Sequence, residues 1–190
     1  PLNHFVVISG IMEEKDTLLG SKHSGAMGIS GSNPMSYFNG FNIEHSLSDN
    51  LSFKVNSILA RTIIDNPSNS LIHSFTPISS SSFELSMHKK NIFDSNDSLS
   101  VSISQPNRIE NGSMNFKIQD LADKNGKINF QLKKINLEPS GRQIDLGFNY
   151  IRKLNDNTIF GIKNTFTKDN KHYRNKSLNH LITVSASVNF

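Results

Sequence analysis

The chain has 190 residues, a formal net charge of +4 and 35% apolar residues. No apolar run approaches the ~18 residues that a membrane helix needs, so a helical membrane protein is excluded; Phe5-Val6-Val7-Ile8 is about as long as such runs get. There is no cysteine, which removes disulfide frameworks, thiolate zinc sites and cysteine nucleophiles together, and the scattered Lys and Arg give no reason to expect nucleic acid as a partner.

The dominant pattern is period-two alternation bounded by turn residues, the mark of strands whose two faces meet different surroundings. Residues 3–12 are apolar on both faces, which leaves their register open. Between residues 35 and 47, Met35, Tyr37, Phe41, Ile43 and Leu47 share a face with Asn39 and His45. Leu51, Phe53, Val55 and Leu59 alternate with Ser52, Lys54 and Asn56. Over 82–88, Phe83, Leu85 and Met87 alternate with Ser82, Glu84, Ser86 and His88, and over 98–104 Leu99, Val101 and Ile103 alternate with four serines. The clearest strand covers 142–154, with Ile144, Leu146, Phe148 and Tyr150 on one side and Gln143, Asp145, Gly147 and Asn149 on the other. Residues 158–168 follow, with Phe160, Ile162 and Phe166 together. In the last strand Ile182, Val184, Ala186, Val188 and Phe190 are apolar, and Thr183, Ser185, Ser187 and Asn189 are polar.

The connections alternate in length. Residues 48–50, 94–97 and 155–157 are short and rich in the Asn and Asp that tight turns favour. Between them lie long polar stretches at about 13–34, 65–81, 106–141 and 169–179. Within the third, 114–118 and 128–132 alternate and flank Lys124-Asn125-Gly126, which predicts an extra hairpin beyond the main strands. The sum is eight strands in meander order, with tight turns at one end and long loops at the other, as outer-membrane barrels have. The predicted fold class is all-β, an antiparallel up-and-down transmembrane β-barrel occupying 1–190 as a single domain. A soluble sandwich also alternates, but a Greek key needs a long crossover between sheets. Against the barrel, His45, Arg61 and Lys89 fall on the predicted lipid faces; the latter two lie near strand ends, where long side chains snorkel.

The last strand, ending on an aromatic residue in strand phase, resembles the C-terminal signal by which outer-membrane proteins are recognised for assembly; Ile182, Val184, Ala186, Val188 and Phe190 carry it. Further blocks run from Phe83-Glu84-Leu85 through Asn91-Ile92-Phe93, then Asp97-Ser98-Leu99-Ser100, Ser104-Gln105-Pro106, Arg108-Ile109-Glu110-Asn111-Gly112-Ser113 and Leu137-Glu138-Pro139-Ser140-Gly141-Arg142, with Asp145, Leu146 and Tyr150. Upstream, Leu18-Leu19-Gly20-Ser21 precedes Ser24-Gly25-Ala26. Over about residues 17–154, the chain resembles the C-terminal autotransporter barrel attached to bacterial subtilisin-like serine proteases. The resemblance implies a barrel of about a dozen strands, of which eight are counted here. That barrel anchors its own chain in the outer membrane of a Gram-negative bacterium and assists export of an N-terminal passenger. The expectation is a C-terminal piece of a longer chain whose passenger is absent, with outer-membrane lipid, the barrel assembly machinery and the passenger as partners. The alternative is a stand-alone small outer-membrane barrel, porin-like or structural.

No enzyme, cofactor or metal site is read from the residues. No Gly-Thr-Ser motif around a nucleophile occurs, so the serine endopeptidase activity that the resemblance implies for the parent chain is not carried by this segment. His88 and Glu84 share a strand face at a separation of roughly 13 Å and cannot touch. The other histidines read as surface or lumen polarity, and Gly25, Gly28 and Gly31 read as a loop. Arg108, Glu110 and Arg142 flank the 106–141 stretch. They read either as an ion-pair brace fixing that loop at the barrel rim or as ordinary solvated charge.

Overall fold

The computed structural model describes residues 3–18, 21–22, 28–29, 31–68, 70–121, 126, 128–174 and 177–188. It is all-β. The strands are β1 (Asn3–Glu13), β2 (Thr17–Leu18), β3 (Ser21–Lys22), β4 (Met35–Ser48), β5 (Leu51–Ile63), β6 (Ile72–Phe75), β7 (Ile78–Lys90), β8 (Asp97–Asn111), β9 (Ser113–Gln119), β10 (Phe130–Asn136), β11 (Ile144–Asn155), β12 (Thr158–Lys168) and β13 (Asn179–Val188). Among the described residues no helix is long and apolar enough to cross a membrane.

Eight of these strands form one antiparallel sheet in the order β1-β4-β5-β7-β8-β11-β12-β13, each long strand pairing with the next along the chain. Among the described residues no ladder joins β1 to β13, so the sheet is open. The tight connections between β4 and β5, β7 and β8, and β11 and β12 lie at one end, and the long connections at the other.

Register fixes the faces, because directly opposed residues of neighbouring strands point the same way. One row reads Phe5, Ile43, Val55, Leu85, Ile103, Leu146, Phe166, and the next reads His45, Phe53, Met87, Val101, Phe148. The opposite face carries Asn42, Asn56, Glu84, Ser104, Asp145, Thr167 in one row and Glu44, Lys54, Ser86, Ser102, Gly147, Thr165 in the next. The same registers place β1, which the sequence left open, with Phe5, Val7 and Ile11 on the apolar face and Val6, Ile8 and Met12 on the other.

A three-stranded sheet, β10-β9-β6, caps the long-loop end. The hairpin predicted around 114–132 forms it, with Met114 opposite Ile135 and Gln119 opposite Phe130. Ile72, Ser74 and Phe75 of β6 add a third strand that alternation did not reveal. The chain turns from β8 into β9 at Gly112, whose φ of +154° suits glycine and whose added Cβ would lie 3.0 Å from the Ile78 side chain. Ile29, Ile72 and Phe116 form a small core there, with Phe75 and Met114 against it.

Two stretches expected as loop are strand instead. Residues 78–81 open β7, and 106–111 complete β8. Pro106 does not end β8 because it sits at a β-bulge, where the pairing steps from Phe83 opposite Gln105 to Ser81 opposite Arg108 and no ladder N–H is demanded of it.

Candidate functional site

Burial sets the first fact about function. Among the described residues the buried apolar side chains are Ile29, Ile64, Ile72, Ile78 and Phe116, all toward the long-loop end. The apolar face of the main sheet has no second layer over it. Phe5 is 67% exposed, Leu59 61% and Val184 63%. Monomeric water-soluble proteins rarely leave a contiguous apolar surface of this extent bare. The opposite face is a hydrophilic ladder, in which Asn42 donates to Asn56 at 2.5 Å and His88 bonds Ser100 Oγ at 2.8 Å.

Beyond the apolar belt, Arg108, Glu110 and Arg142 come together. Arg108 is 5% exposed. Its Nη1 donates to Glu110 Oε2 at 2.6 Å and to the Ile109 carbonyl at 3.2 Å. Nη2 donates to Glu138 Oε1 at 3.1 Å and to the Pro139 carbonyl at 3.0 Å, and Nε to the Gly141 carbonyl at 3.0 Å. One guanidinium thus grips the turn that carries the chain from β10 back to β11. Arg142 meets Glu110 as a fork, at 2.9 and 2.6 Å, and also donates to Gln105 Oε1. Ser81 Oγ donates to Glu110 at 2.6 Å, and the Gln105 amide donates to the Ser81 carbonyl at 3.1 Å. Hydrogen bonds from Arg142, outweighing burial, hold the Glu110 carboxyl at about 2, well below its ordinary 4.5. Each loss of a charge-assisted bond in such a network costs about 1.5–3 kcal/mol.

A second turn docks on the brace. The Gln143 N–H donates to His172 Nδ1 at 3.0 Å and His172 Nε2–H donates to the Asn107 carbonyl at 3.0 Å, which fixes the tautomer. The Gly141 N–H reaches the His172 carbonyl at 2.8 Å. His172 is therefore a buried connector and not the surface polarity the sequence suggested. Asp169, Lys171 and His172 all take left-handed φ, of 51°, 57° and 58°, a local cost that surrounding bonds must outweigh. A Cβ on Gly141 would lie 2.6 Å from the Arg174 backbone nitrogen, so the approach needs glycine there.

At the tight-turn end Asp97, 4% exposed, organises the β7–β8 turn. It accepts from the Ile92 N–H at 2.7 Å, the Phe93 N–H at 3.1 Å and the Tyr150 hydroxyl at 3.0 Å. Arg152 pairs with Asp94 at 2.6 Å beside it.

Of the residues expected to form a C-terminal signal, Ile182, Val184, Ala186 and Val188 lie on the apolar face of β13, opposite Asn164, Ile162, Phe160 and Thr158; Phe190 lies outside the described residues. Arg61 and Lys89 sit in rows of the apolar face, as expected. Gln105, Glu138, Ser81 and His172 were missed as parts of the brace; among these the Ser-Gln-Pro and Glu-Pro-Ser-Gly-Arg blocks were visible in the sequence. Among the described residues no group of three His, Asp or Glu side chains is arranged to hold a metal. The chain matches no protein family, no curated protein and no solved structure.

Proposed function

We propose that this chain is the translocator and anchor barrel of an autotransporter in a Gram-negative outer membrane, assisting export of an N-terminal passenger of the subtilisin-like serine protease type. In this reading the sheet curls into a closed cylinder with its apolar face against hydrocarbon and its polar face toward the lumen. The observation that carries it is the uncovered apolar face of an unbroken meander, since a closed barrel is the one β architecture in which such a face has a natural solvent, the lipid. The span supports it too: β4, β5, β7 and β8 exceed the ~9–11 residues that a tilted strand needs to cross a bilayer. The brace and the cap sheet then stand at the extracellular rim, where they hold the longest loop in place.

A stand-alone eight-stranded barrel is the second reading, favoured by the count of eight strands in simple meander order.

The test exploits the absence of cysteine. Leu85→Cys and Ser86→Cys, labelled singly with a fluorophore, place one probe on each face of the same strand. In vesicles of brominated phospholipid, the probe at 85 is quenched and the probe at 86 is not. A chain that stays in the aqueous fraction, or equal quenching at both positions, refutes the membrane assignment. An epitope fused ahead of Pro1 that reaches the cell surface favours the translocator; one retained in the periplasm favours the stand-alone barrel.

A further inference from the structure

Three arginines hold carboxylates: Arg108 and Arg142 share Glu110, and Arg152 pairs with Asp94. Arg61 does not. Its side chain has no hydrogen bond or ion pair among the described residues, and neither does that of Lys134. Yet the two come from different sheets to line one open cavity of about 760 Å³. Its other walls supply neutral polar groups, among them Ser79, Asn111 and Asn136, and its described lining contains no acidic residue. Two unpaired cations with amide and hydroxyl neighbours form an incomplete electrostatic set, and a compact polyanion completes it. A phosphomonoester suits it best, because an arginine fork takes two of its oxygens while a lysine adds a point charge.

Position narrows the source. Arg61 lies on the apolar face of the main sheet, in the row Tyr37, Arg61, Ser79, one row past Asn39, Leu59, Ser81 toward the long-loop end. The row holds Ile11 as well, and only the row of Met35 and Ile63 lies beyond it, so Arg61 stands close to the long-loop limit of the apolar face, beside the cap. If the sheet spans the outer membrane, that is the depth of outer-leaflet headgroups. We propose that this cavity binds a phosphate of an anionic outer-leaflet glycolipid, with Arg61 and Lys134 as its cationic ligands. The site rests on the membrane reading for its ligand's source, but its phosphate chemistry stands apart from it.

The experiment uses the full chain refolded in neutral detergent micelles and titrated separately with diphosphorylated lipid A, the same lipid dephosphorylated, and inorganic phosphate. Phosphorylated lipid A binds tightest, inorganic phosphate binds more weakly, and the dephosphorylated lipid is not retained. Arg61→Gln and Lys134→Gln each weaken the first two by about tenfold or more. Lys133→Gln, on the same strand but outside the cavity lining, leaves binding unchanged and reports that β10 tolerates loss of a lysine. Equal binding by parent and double variant, or equal retention of the dephosphorylated lipid, overturns the site. Phosphate binding lost in the variants, by a chain that will not enter bilayers, supports the cation pair and refutes the membrane reading; bilayer insertion without phosphate discrimination does the reverse.

Discussion

Arg142 lays its guanidinium across Glu110 so that Nη1 meets Oε1 at 2.9 Å and Nη2 meets Oε2 at 2.6 Å. The two residues are far apart in the chain, and the contact ties the start of β11 to the far end of β8. Because the folded Glu110 carboxyl titrates at about 2 and not at its ordinary 4.5, its contribution to stability is complete above about 4.5 and is lost as pH falls from there through about 2. Urea unfolding of the refolded chain in micelles will give a midpoint that drops across that window. In Glu110→Gln the drop attributable to this group disappears, and at neutral pH the variant is less stable by about 1.5–3 kcal/mol, because Arg142 loses its fork and Arg108 loses one of its charge partners. An unchanged pH profile in the variant contradicts this assignment.

Arg108→Lys retains the charge and loses the fork. A lysine ammonium cannot reach Glu110, Glu138 and the carbonyls of Pro139 and Gly141 together. The expected result is a loosened 137–143 turn, read as faster amide exchange at Leu137 and Gly141, with a global cost of about 2 kcal/mol. Protection equal to the parent would mean that the carbonyl contacts hold nothing.

Gly141→Ala tests the docking of the 169–174 turn. The new methyl would stand 2.6 Å from the Arg174 nitrogen and 2.9 Å from its Cα, both backbone atoms with little freedom to yield. Destabilisation of about 1–3 kcal/mol follows, together with cleavage by a protease in the 169–178 loop under conditions that leave the parent intact.

At the other end, Asp97→Ala removes the acceptor shared by the Ile92 and Phe93 amides and the Tyr150 hydroxyl. A cost of about 2–3 kcal/mol is expected, with Asp97→Asn intermediate because one carbonyl oxygen remains. Equal stability of the Ala and Asn variants would show that the carboxylate geometry is unimportant.

A charge scan separates the two faces. Leu146→Lys places an ammonium in the middle of the apolar row and costs about 2–4 kcal/mol in a bilayer. Ser102→Lys, on the polar face, should cost little. Refolding yield into vesicles, measured by the shift in gel migration on heating, reads the difference; matched yields would count against lipid contact on the apolar side.

Seven of the eight long strands, the tight turns and the 114–132 hairpin were legible from alternation bounded by turn residues, whereas β1, apolar on both faces, showed its extent but not its register. What stayed hidden had no such signal. Ile72-His73-Ser74-Phe75 is too short to alternate, and the serines at 79–82 give β7 no apolar phase. Pro106 looked like a terminator because its bulge is set by the partner strand and not by its own neighbours. The Arg108, Glu110 and Arg142 cluster was visible as three charges near a long connection, but Gln105 and Glu138 join it through their side chains and His172 through backbone groups, all across segments distant in sequence, and pairings of that kind leave no periodicity. Whether the sheet meets lipid is a property of its surroundings, which alternation alone does not encode.

Each inner strand of the main sheet binds the long strand before it and the long strand after it, with short hairpins at one end and the cap sheet inserted at the other. Assembly can accordingly proceed by accretion, one hairpin laid on the last, without any strand waiting for a partner from the opposite end of the chain. In the proposed closed barrel, only the seam between β1 and β13 would require a distant encounter, and that seam would be the step at which folding slows.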